Sequence, residues 1–375
     1  MKRVQYPLNT LPLPPGDIVG RENILEEMGT RLLQQQSVLI PGPRRTGKTA
    51  VALELLRRVR EREGALVGVV DLFECGDGRD LARKIVAACL ENVDAGWHRF
   101  KSVLDRDLAV GIRESSLTLR VLGVDLLRWA YHLERLETGE LLDRALEFPE
   151  AIALRLNRPM ILVFDEFQEV VSLGGESLMK RMRAHWQRQR RTGYCFLGSQ
   201  GGVMHSLFGL SRQPLYRFAD ILPLPPIAHN DWVAYAERKF HEAGVGVRNG
   251  ALEELVERTG GHPFDTMKVL QHLARIQERE KATWITRDFC WLAHQEAAEE
   301  LARYFEAEIA GLQLPYARAM LLRLSRGEGL YVPGVNPGQN KRTVDGLIQS
   351  GVLRRVAPRR YQFEEPMLAE FLANH

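Results

Sequence analysis

The sequence has little cysteine, and none of it is arranged for metal binding or for a disulfide framework. Its four cysteines lie far apart, with no CxxC pair and no histidine at metal-ligand spacing: Cys75, Cys89, Cys195 and Cys290. Isolated thiols of this kind are typical of a reducing compartment. We therefore expect four buried thiols and a cytoplasmic protein.

Long apolar runs are also missing. No stretch approaches the roughly 20 residues that a helix needs to span a bilayer, and residues 1–10 have no apolar core for a signal peptide. The formal net charge of +3 in 375 residues is nearly balanced, so composition alone does not indicate nucleic acid. These absences predict a soluble chain with no membrane partner, and the length predicts two or three domains.

The sequence does contain a complete phosphate-binding loop of the form GxxxxGK[ST]. The loop consists of Gly42, Pro43, Arg44, Arg45, Thr46, Gly47, Lys48 and Thr49. An apolar strand at 37–40 precedes it and a helix from 48 to about 63 follows, which is the context that the motif requires. A plain Gly/Pro turn would not need Lys-Thr at these positions.

This loop predicts a nucleotide site. Its glycines let backbone N–H groups turn inward around phosphate oxygens, and the following helix adds the positive end of its dipole. We expect Lys48 to reach the β- and γ-phosphates and the Thr49 hydroxyl to ligate Mg²⁺. No guanine-reading Asn-Lys-x-Asp segment is present, which favours ATP over GTP.

A second apolar strand, at 160–164, ends in two carboxylates, Asp165 and Glu166. Ligands of parallel sheets collect at the carboxyl ends of the strands, where the phosphate loop also lies. We expect Asp165 to hold Mg²⁺ and Glu166 to act as general base on the attacking water. An acidic helix cap is the alternative, and it is the weaker one beside a complete phosphate loop.

A third buried strand, at 194–198, ends at Ser199. Its hydroxyl is a candidate for sensing the γ-phosphate and positioning the lytic water. A serine after a strand is often only a helix cap, and that alternative stays open.

Five motifs occur in a fixed order and carry a family resemblance. They are Val19-Gly20-Arg21-Glu22, the phosphate loop, Phe164-Asp165-Glu166-Phe167-Gln168-Glu169-Val170, the strand ending at Ser199, and Thr259-Gly260-Gly261-His262-Pro263-Phe264. In this order they resemble the archaeal-type ATPases, which are related to STAND signalling ATPases and to origin-recognition-type AAA+ initiators. The likeness extends over nearly the whole chain.

The resemblance implies further roles. Gly20 and Arg21 would lie along the adenine, and His262 and Pro263 of a helical lid would contact the nucleotide from the opposite side. Such ATPases work as homo-oligomers and often take an arginine from a neighbouring subunit, for which Arg217 is preferred over Arg212. An exposed loop arginine is more often only solvated.

The predicted fold class is α/β: a P-loop NTPase with a parallel sheet, a helical lid and a C-terminal winged-helix domain. Residues 1–228 would form the ATPase domain, with a helical insertion at about 72–158 for a partner or regulatory surface. Residues 229–310 would form the lid, and 311–375 the winged helix.

The winged-helix segment carries six basic residues: Lys341, Arg342, Arg354, Arg355, Arg359 and Arg360. Winged helices bind double-stranded DNA through such residues, but they also serve as protein-interaction modules with a solvated basic rim. The leading hypothesis is an ATP-hydrolysing switch, with or without DNA. The alternatives are a DNA-binding regulator in which ATP is structural, and a signalling or defence scaffold that acts through unknown protein partners.

Overall fold

The computed structural model describes residues 4–7, 12–91, 137–199 and 201–374. The helix predicted at 125–136, the alternating segment predicted at 116–122 and Gln200 lie outside these residues.

Strands and helices alternate from residue 22 to residue 221. The strands are β1 (Val38–Pro41), β2 (Leu66–Asp71), β3 (Met160–Asp165), β4 (Thr192–Gly198) and β5 (Asp220–Ile221). The helices are α1 (Glu22–Leu33), α2 (Lys48–Glu63), α3 (Gly78–Leu90), α4 (Thr138–Leu156), α5 (Val170–Leu173), α6 (Gly175–Trp186) and α7 (Gly201–Gly209). Short 3₁₀ turns lie at Pro15–Asp17 and Phe167–Glu169.

The five strands form one parallel sheet in the order β5–β1–β4–β3–β2. The chain leaves β1 for β2 at the far edge and returns through β3 and β4. It then passes to the other side of β1 to form β5. The strand order therefore reverses beside β1, and ligands of open α/β sheets bind outside the carboxyl ends of the strands at such a point.

The two faces of the sheet bury alternate residues of the same strands, as the two-residue period of a strand requires. On one face Ile40 and Leu197 pack against α1 and α2. On the other face Leu162, Phe164 and Phe196 pack against α3, α4, α6 and α7. The sheet edge that carries the phosphate loop is thereby fixed from both sides.

Both ends of the predicted insertion are helices that pack against the sheet. Helices α3 and α4 pack against each other and contribute to the core beside β2 and β3. Gly68 of β2 allows the close approach of α3, because a Cβ at this position would lie 2.5 Å from the carbonyl oxygen of Ala88. What remains for an insertion lies between α3 and α4.

The rest of the described chain is mainly helical. The helices are α8 (His229–Glu242), α9 (Ala251–Arg258), α10 (Pro263–Glu280), α11 (Arg287–Gly311), α12 (Ala317–Ser325), α13 (Pro337–Gln349) and α14 (Pro366–Asn374). Strands β6 (Gly246–Val247) and β7 (Trp284–Ile285) pair in parallel, and β8 (Leu353–Ala357) and β9 (Arg360–Phe363) form an antiparallel hairpin. One hydrophobic cluster joins these helices, with Trp232, Phe305 and Phe371 among its buried side chains.

The N-terminal lead-in, of which the structure describes residues 4–7 and 12–17, packs on helices α8 and α10. Asp17 accepts hydrogen bonds from the Tyr235 hydroxyl (2.9 Å) and from the Lys239 ammonium (2.8 Å). The amide of Gln271 donates to the carbonyl oxygen of Tyr6 (2.9 Å). The lead-in is therefore attached to the helical region that follows it by more than 200 residues.

Most of the predicted elements are present, and α2 and β2 have the predicted bounds. The basic helix α6 ends at Trp186 instead of near 191, since β4 already begins at Thr192. Helices α7 and α14 were missed because the first begins with two glycines and the second is short. The prediction of a wholly helical segment after 229 was wrong, because β6 and β7 pair there.

Three of the thiols are buried as expected, but Cys75 is only half-buried. It lies in the loop after β2 at the margin of the core, and its thiol donates to the carbonyl oxygen of Asp71 (3.4 Å). Among the helices that the structure describes, none combines the length and the apolar character needed to cross a lipid bilayer.

Candidate functional site

The loop between β1 and α2 has the backbone of a phosphate cradle. Gly42 (φ 155°) and Gly47 (φ 87°) adopt positive φ angles that disfavour a side chain, and Arg45 (φ 65°) shares the left-handed region. Helix α2 begins directly after the loop at Lys48. The free N–H groups of its first turn therefore face the space that the loop surrounds.

Lys48 lies at the centre of this loop and is only 7% exposed. Its ammonium donates to the carbonyl oxygens of Gly42 (2.9 Å) and Pro43 (2.5 Å). Burial lowers the pKa of Lys48 to about 8, although the carboxylates of Glu166 and Asp165 act in the opposite direction. The charge of this buried ammonium is not neutralised by its carbonyl partners, and an anionic phosphate would neutralise it.

Thr49 and Asp165 are brought together although β4 separates their strands. The Thr49 hydroxyl donates to Oδ2 of Asp165 (2.8 Å), and Oδ1 of Asp165 accepts from the backbone N–H of Glu166 (2.8 Å). A hydroxyl and a carboxylate are the hard oxygen donors that Mg²⁺ prefers. The described residues hold no cluster of three or more His, Cys, Asp or Glu side chains able to bind a metal, so Mg²⁺ here would take its other ligands from phosphates and water.

Glu166 follows Asp165 in a left-handed backbone conformation (φ 46°), which is rare for a residue with a side chain. Its Oε2 accepts hydrogen bonds from the Ser199 hydroxyl (2.7 Å) and from the Gln168 amide (2.5 Å). Burial raises the pKa of Glu166, but these two donors and the charges of Lys48 and Arg44 outweigh burial, and the net pKa lies below the usual value. Glu166 is thus an ionised carboxylate at the sheet edge.

A cavity of about 350 Å³ connects these groups with the helical region. One end is lined by the phosphate loop from Arg44 to Thr49 together with Asp165 and Glu166. Apolar side chains contribute much of the remaining lining: Leu13, Ile18, Val19, Ile227, Trp232, Phe264 and Met267. A cavity of this size with basic and apolar parts matches the phosphates and the base of a nucleotide.

Arg21 lines the same cavity and is only 4% exposed. Its guanidinium donates to the carbonyl oxygen of Pro225, and burial lowers its pKa to about 10. Gly20 does not line the cavity. It has a positive φ of 61°, and a Cβ there would lie 2.6 Å from a carboxylate oxygen of Asp231. Gly20 therefore serves the close approach to α8.

His262 and Pro263 differ in position. Pro263 lines the cavity at the start of α10, whereas His262 precedes the helix as its N-cap and is not among the lining residues. Burial lowers the pKa of His262, but the hydrogen bond and charge of Asp265, with Glu365 and Glu364, outweigh it, and the net pKa lies above the usual value. In the described chain the Nε2 atom of His262 has no hydrogen-bond partner.

Arg217 lies away from the cavity on an exposed loop, with its guanidinium 5.1 Å from the centre of the Tyr216 ring. Arg212 is exposed on the same loop. A role in a neighbouring subunit depends on contacts outside one chain, so the arginine assignment stays a prediction.

The family resemblance implied that the segment around Gly20 and Arg21 and the helical lid lie on either side of the nucleotide, but it did not name the apolar residues. These residues come from positions 13–19 and 227–267. One buried polar residue was also not predicted. The polar residue is Gln168, which is 6% exposed beside Glu166 and Ser199. A neutral amide among the carboxylates Asp165, Glu166 and Glu169 was the available signal.

Solved structures of similar fold are found among ATPases. The Walker-type ATPase PABY2304 of Pyrococcus abyssi is 19% identical with a TM-score of 0.70, over 95% of this chain and 96% of that chain. The ORC2 protein of Aeropyrum pernix, in ADPNP–ADP complexes, is 16% identical with a TM-score of 0.57, over 98% and 95%. The chain shares its fold with these two proteins.

This likeness confirms, at the level of the fold, the family resemblance predicted from the sequence motifs. The P-loop sheet and the helical region after it recur in a single arrangement over almost the full length of both proteins. No protein-family model matched the sequence, and no curated protein matched it.

Replacing Lys48 with alanine is expected to weaken ATP binding by roughly 10- to 100-fold, because a charge-assisted contact to phosphate is lost. Isothermal titration calorimetry with a non-hydrolysable ATP analogue measures this change. Lys180→Ala is the control, since Lys180 is exposed on α6 and, within the described residues, pairs with Glu176 alone. Equal affinity of both variants would contradict the assignment of the phosphate site.

Proposed function

We propose that this protein binds and hydrolyses ATP and works as a nucleotide-controlled switch. One observation carries the proposal. The phosphate loop and the carboxylates Asp165 and Glu166 line the same cavity as residues of helices α8 and α10. A ligand in this cavity holds two parts of the chain together, so its presence and its phosphate charge affect how those parts sit.

Different residues bind the phosphates and the adenine. The loop from Gly42 to Thr49 surrounds the β- and γ-phosphates, Lys48 pairs with them, and the apolar part takes the adenine between the lead-in and Trp232. Arg21 and Pro263 lie beside the adenine, and His262 supports this side as the N-cap of the helix that Pro263 begins. The fold of ORC2, which was solved with ADPNP and ADP, supports an adenine nucleotide.

Hydrolysis is assigned to the carboxylate edge. Glu166 accepts the proton of the attacking water, and Ser199 holds Oε2 of this carboxylate through the 2.7 Å hydrogen bond. Thr49 and Asp165 provide the ligands for Mg²⁺, which when bound offsets phosphate charge. The two adjacent carboxylates have different partners, since Asp165 accepts from Thr49 and Glu166 accepts from Ser199. We therefore assign metal binding to Asp165 and the role of base to Glu166.

Glu166→Gln is expected to bind ATP with unchanged affinity and to lower kcat by about 100-fold or more, because the proton acceptor is lost. Steady-state phosphate release and analogue binding measure the two quantities separately. Glu169→Gln is the control, three residues after Glu166, because its carboxylate accepts a hydrogen bond from Ser172 on the surface. Normal turnover of Glu166→Gln would show that another group is the base.

Contacts from the phosphate loop to the C-terminal segment support the switch. The Arg45 guanidinium pairs with Glu365 (3.1 Å) and with Glu308 (3.7 Å), and it lies 4.8 Å from the centre of the Phe264 ring. A Cβ on Gly351, after α13, would lie 3.6 Å from Cβ of Pro43. The segment that carries the hairpin therefore rests on the loop that binds phosphate.

The pairing between Arg45 and Glu365 is sensitive to its surroundings. Burial raises the pKa of Glu365 to about 7; Arg45 and His262 lower it, and Asp265 and Glu308 raise it. A γ-phosphate in the loop offers Arg45 a stronger acceptor than this half-ionised carboxylate. ATP would thereby loosen the C-terminal segment, and hydrolysis would restore the contact.

In the Glu166→Gln background, ATP is expected to speed hydrogen exchange in residues 353–374 by roughly fivefold, which corresponds to a contact worth about 1 kcal/mol. Adding Arg45→Ala removes this ATP response because the segment is already released. Arg44→Ala is the matched control: Arg44 lines the cavity, and in the described chain it makes no ion pair. A full ATP response in the Arg45→Ala variant would contradict the coupling.

The domain limits proposed are 1–228, 229–310 and 311–375, with the insertion reduced to the segment between α3 and α4. Helices α12 and α13 followed by the hairpin β8–β9 and helix α14 have the element order of a winged helix. Assembly of several subunits with ATP, with Arg217 reaching a neighbouring site, belongs to the same proposal.

Double-stranded DNA is the partner that the exposed basic residues favour. Six basic side chains on α13 and the hairpin face solvent: Lys341, Arg342, Arg354, Arg355, Arg359 and Arg360. Such residues can neutralise phosphates and release counterions. A signalling or defence scaffold that binds protein partners through the same surface is the alternative.

Arg355→Ala is expected to weaken DNA binding and to reduce the slope of log K against log salt by about one, because one phosphate contact is lost. Fluorescence anisotropy with duplex DNA at several salt concentrations, with ATP and with ADP, measures this slope. Arg303→Ala on α11 is the exposed control and should leave the slope unchanged. No DNA binding at low salt would favour the scaffold.

A further inference from the structure

Gln168 connects the ends of two strands that carry the proposed hydrolytic groups. It lies in the 3₁₀ turn after β3 and is 6% exposed. Its amide nitrogen donates to Oε2 of Glu166 (2.5 Å) and to the hydroxyl of Ser199 (3.2 Å). Its amide oxygen accepts from the backbone N–H of Ser199 (3.3 Å). The three residues form a closed hydrogen-bonded triangle.

The orientation of the amide is fixed by the chemistry of its partners. An ionised carboxylate only accepts, so Nε2 must face Glu166; a backbone N–H only donates, so Oε1 must face Ser199. The Ser199 hydroxyl then accepts from Gln168 and donates to Oε2 of Glu166 (2.7 Å). One assignment of donors and acceptors therefore satisfies all the hydrogen bonds among the three residues.

The two carboxylate oxygens of Glu166 differ in the hydrogen bonds that they accept. Oε2 accepts from both Gln168 and Ser199, whereas no hydrogen bond reaches Oε1 from the part of the chain that the structure describes. Glu166 lines the cavity, and its backbone is already in the left-handed region. A carboxylate on such a backbone needs outside support to keep one rotamer.

We propose that Gln168 is a positioning residue for hydrolysis: it fixes Oε2 of Glu166 so that Oε1 is free to take the proton of the attacking water. Water transfers a proton to Oε1 as its oxygen bonds to the γ-phosphorus, and the bond from this phosphorus to the β,γ-bridging oxygen breaks, so ADP leaves. Gln168 itself touches neither water nor phosphate. This role rests on the proposed ATPase function and adds to it the residue that holds the base.

Two substitutions separate the donor of Gln168 from its size. Gln168→Glu keeps the length and the acceptor for the Ser199 N–H but places an acceptor against Glu166. Gln168→Leu removes both hydrogen bonds in an apolar side chain of similar volume. We expect each to lower kcat by about 10- to 100-fold while the affinity for a non-hydrolysable ATP analogue changes by less than about threefold.

A double-mutant cycle distinguishes positioning from a structural role. If Gln168 acts only through Glu166, then Gln168→Leu in the Glu166→Gln background changes the residual single-turnover rate by no more than about twofold. A structural role would lower the rate by a similar factor in both backgrounds. The control is Gln277→Leu, which removes a comparably buried amide (5% exposed) whose donor reaches Ala282 at the end of α10.

Three outcomes would overturn the proposal. They are unchanged kcat in both Gln168 variants, a loss of equal size with and without Glu166, and a loss of kcat that Gln277→Leu reproduces. Failure of the ATPase function itself has a different signature, because wild-type turnover would then equal that of Lys48→Ala. If Gln168→Leu does not fold, as judged by thermal melting, Gln168→Glu carries the same comparison.

Discussion

The parallel direction of β1, β3 and β4 is the constraint on which the site depends. Because the three strands point the same way, their carboxyl ends reach one edge of the sheet, and with them Lys48, Asp165 and Ser199. The order β5–β1–β4–β3–β2 places β4 between the loop and the carboxylates. Ser199 therefore stands beside Glu166, and Thr49 still reaches Asp165 across it.

The parts of the site that were predictable are those encoded in short segments. The phosphate loop must follow a strand and open a helix, and an apolar strand that ends in two carboxylates has few other uses beside it. Their spacing in the chain is 116 residues between Thr49 and Asp165, yet parallel pairing alone determines where both ends lie. For this reason the sheet, α2 and the carboxylate edge were visible in the sequence.

The remaining parts depend on packing between distant segments. Arg45 and Glu365 are separated by 320 residues, and neither carries a local signal that pairs it with the other. The apolar part of the cavity has the same origin, since the residues that form it are ordinary core residues in every local pattern. Gln168 is intermediate: it lies two residues after Glu166 in the sequence, but its orientation required the position of Ser199.

Because the lead-in packs on the helical region, the chain connects the sheet and the helical region at two places. The chain crosses from one to the other at Arg21 and again at Pro225, and the Arg21 guanidinium donates to the Pro225 carbonyl, which ties the crossings together. Tyr6 and Asp17 are held by α10 and α8, so the described segments 4–7 and 12–17 are attached to the helical side. The Arg21 guanidinium is buried at this point, so a displacement of the helical region relative to the sheet would strain both crossings through the same hydrogen bond.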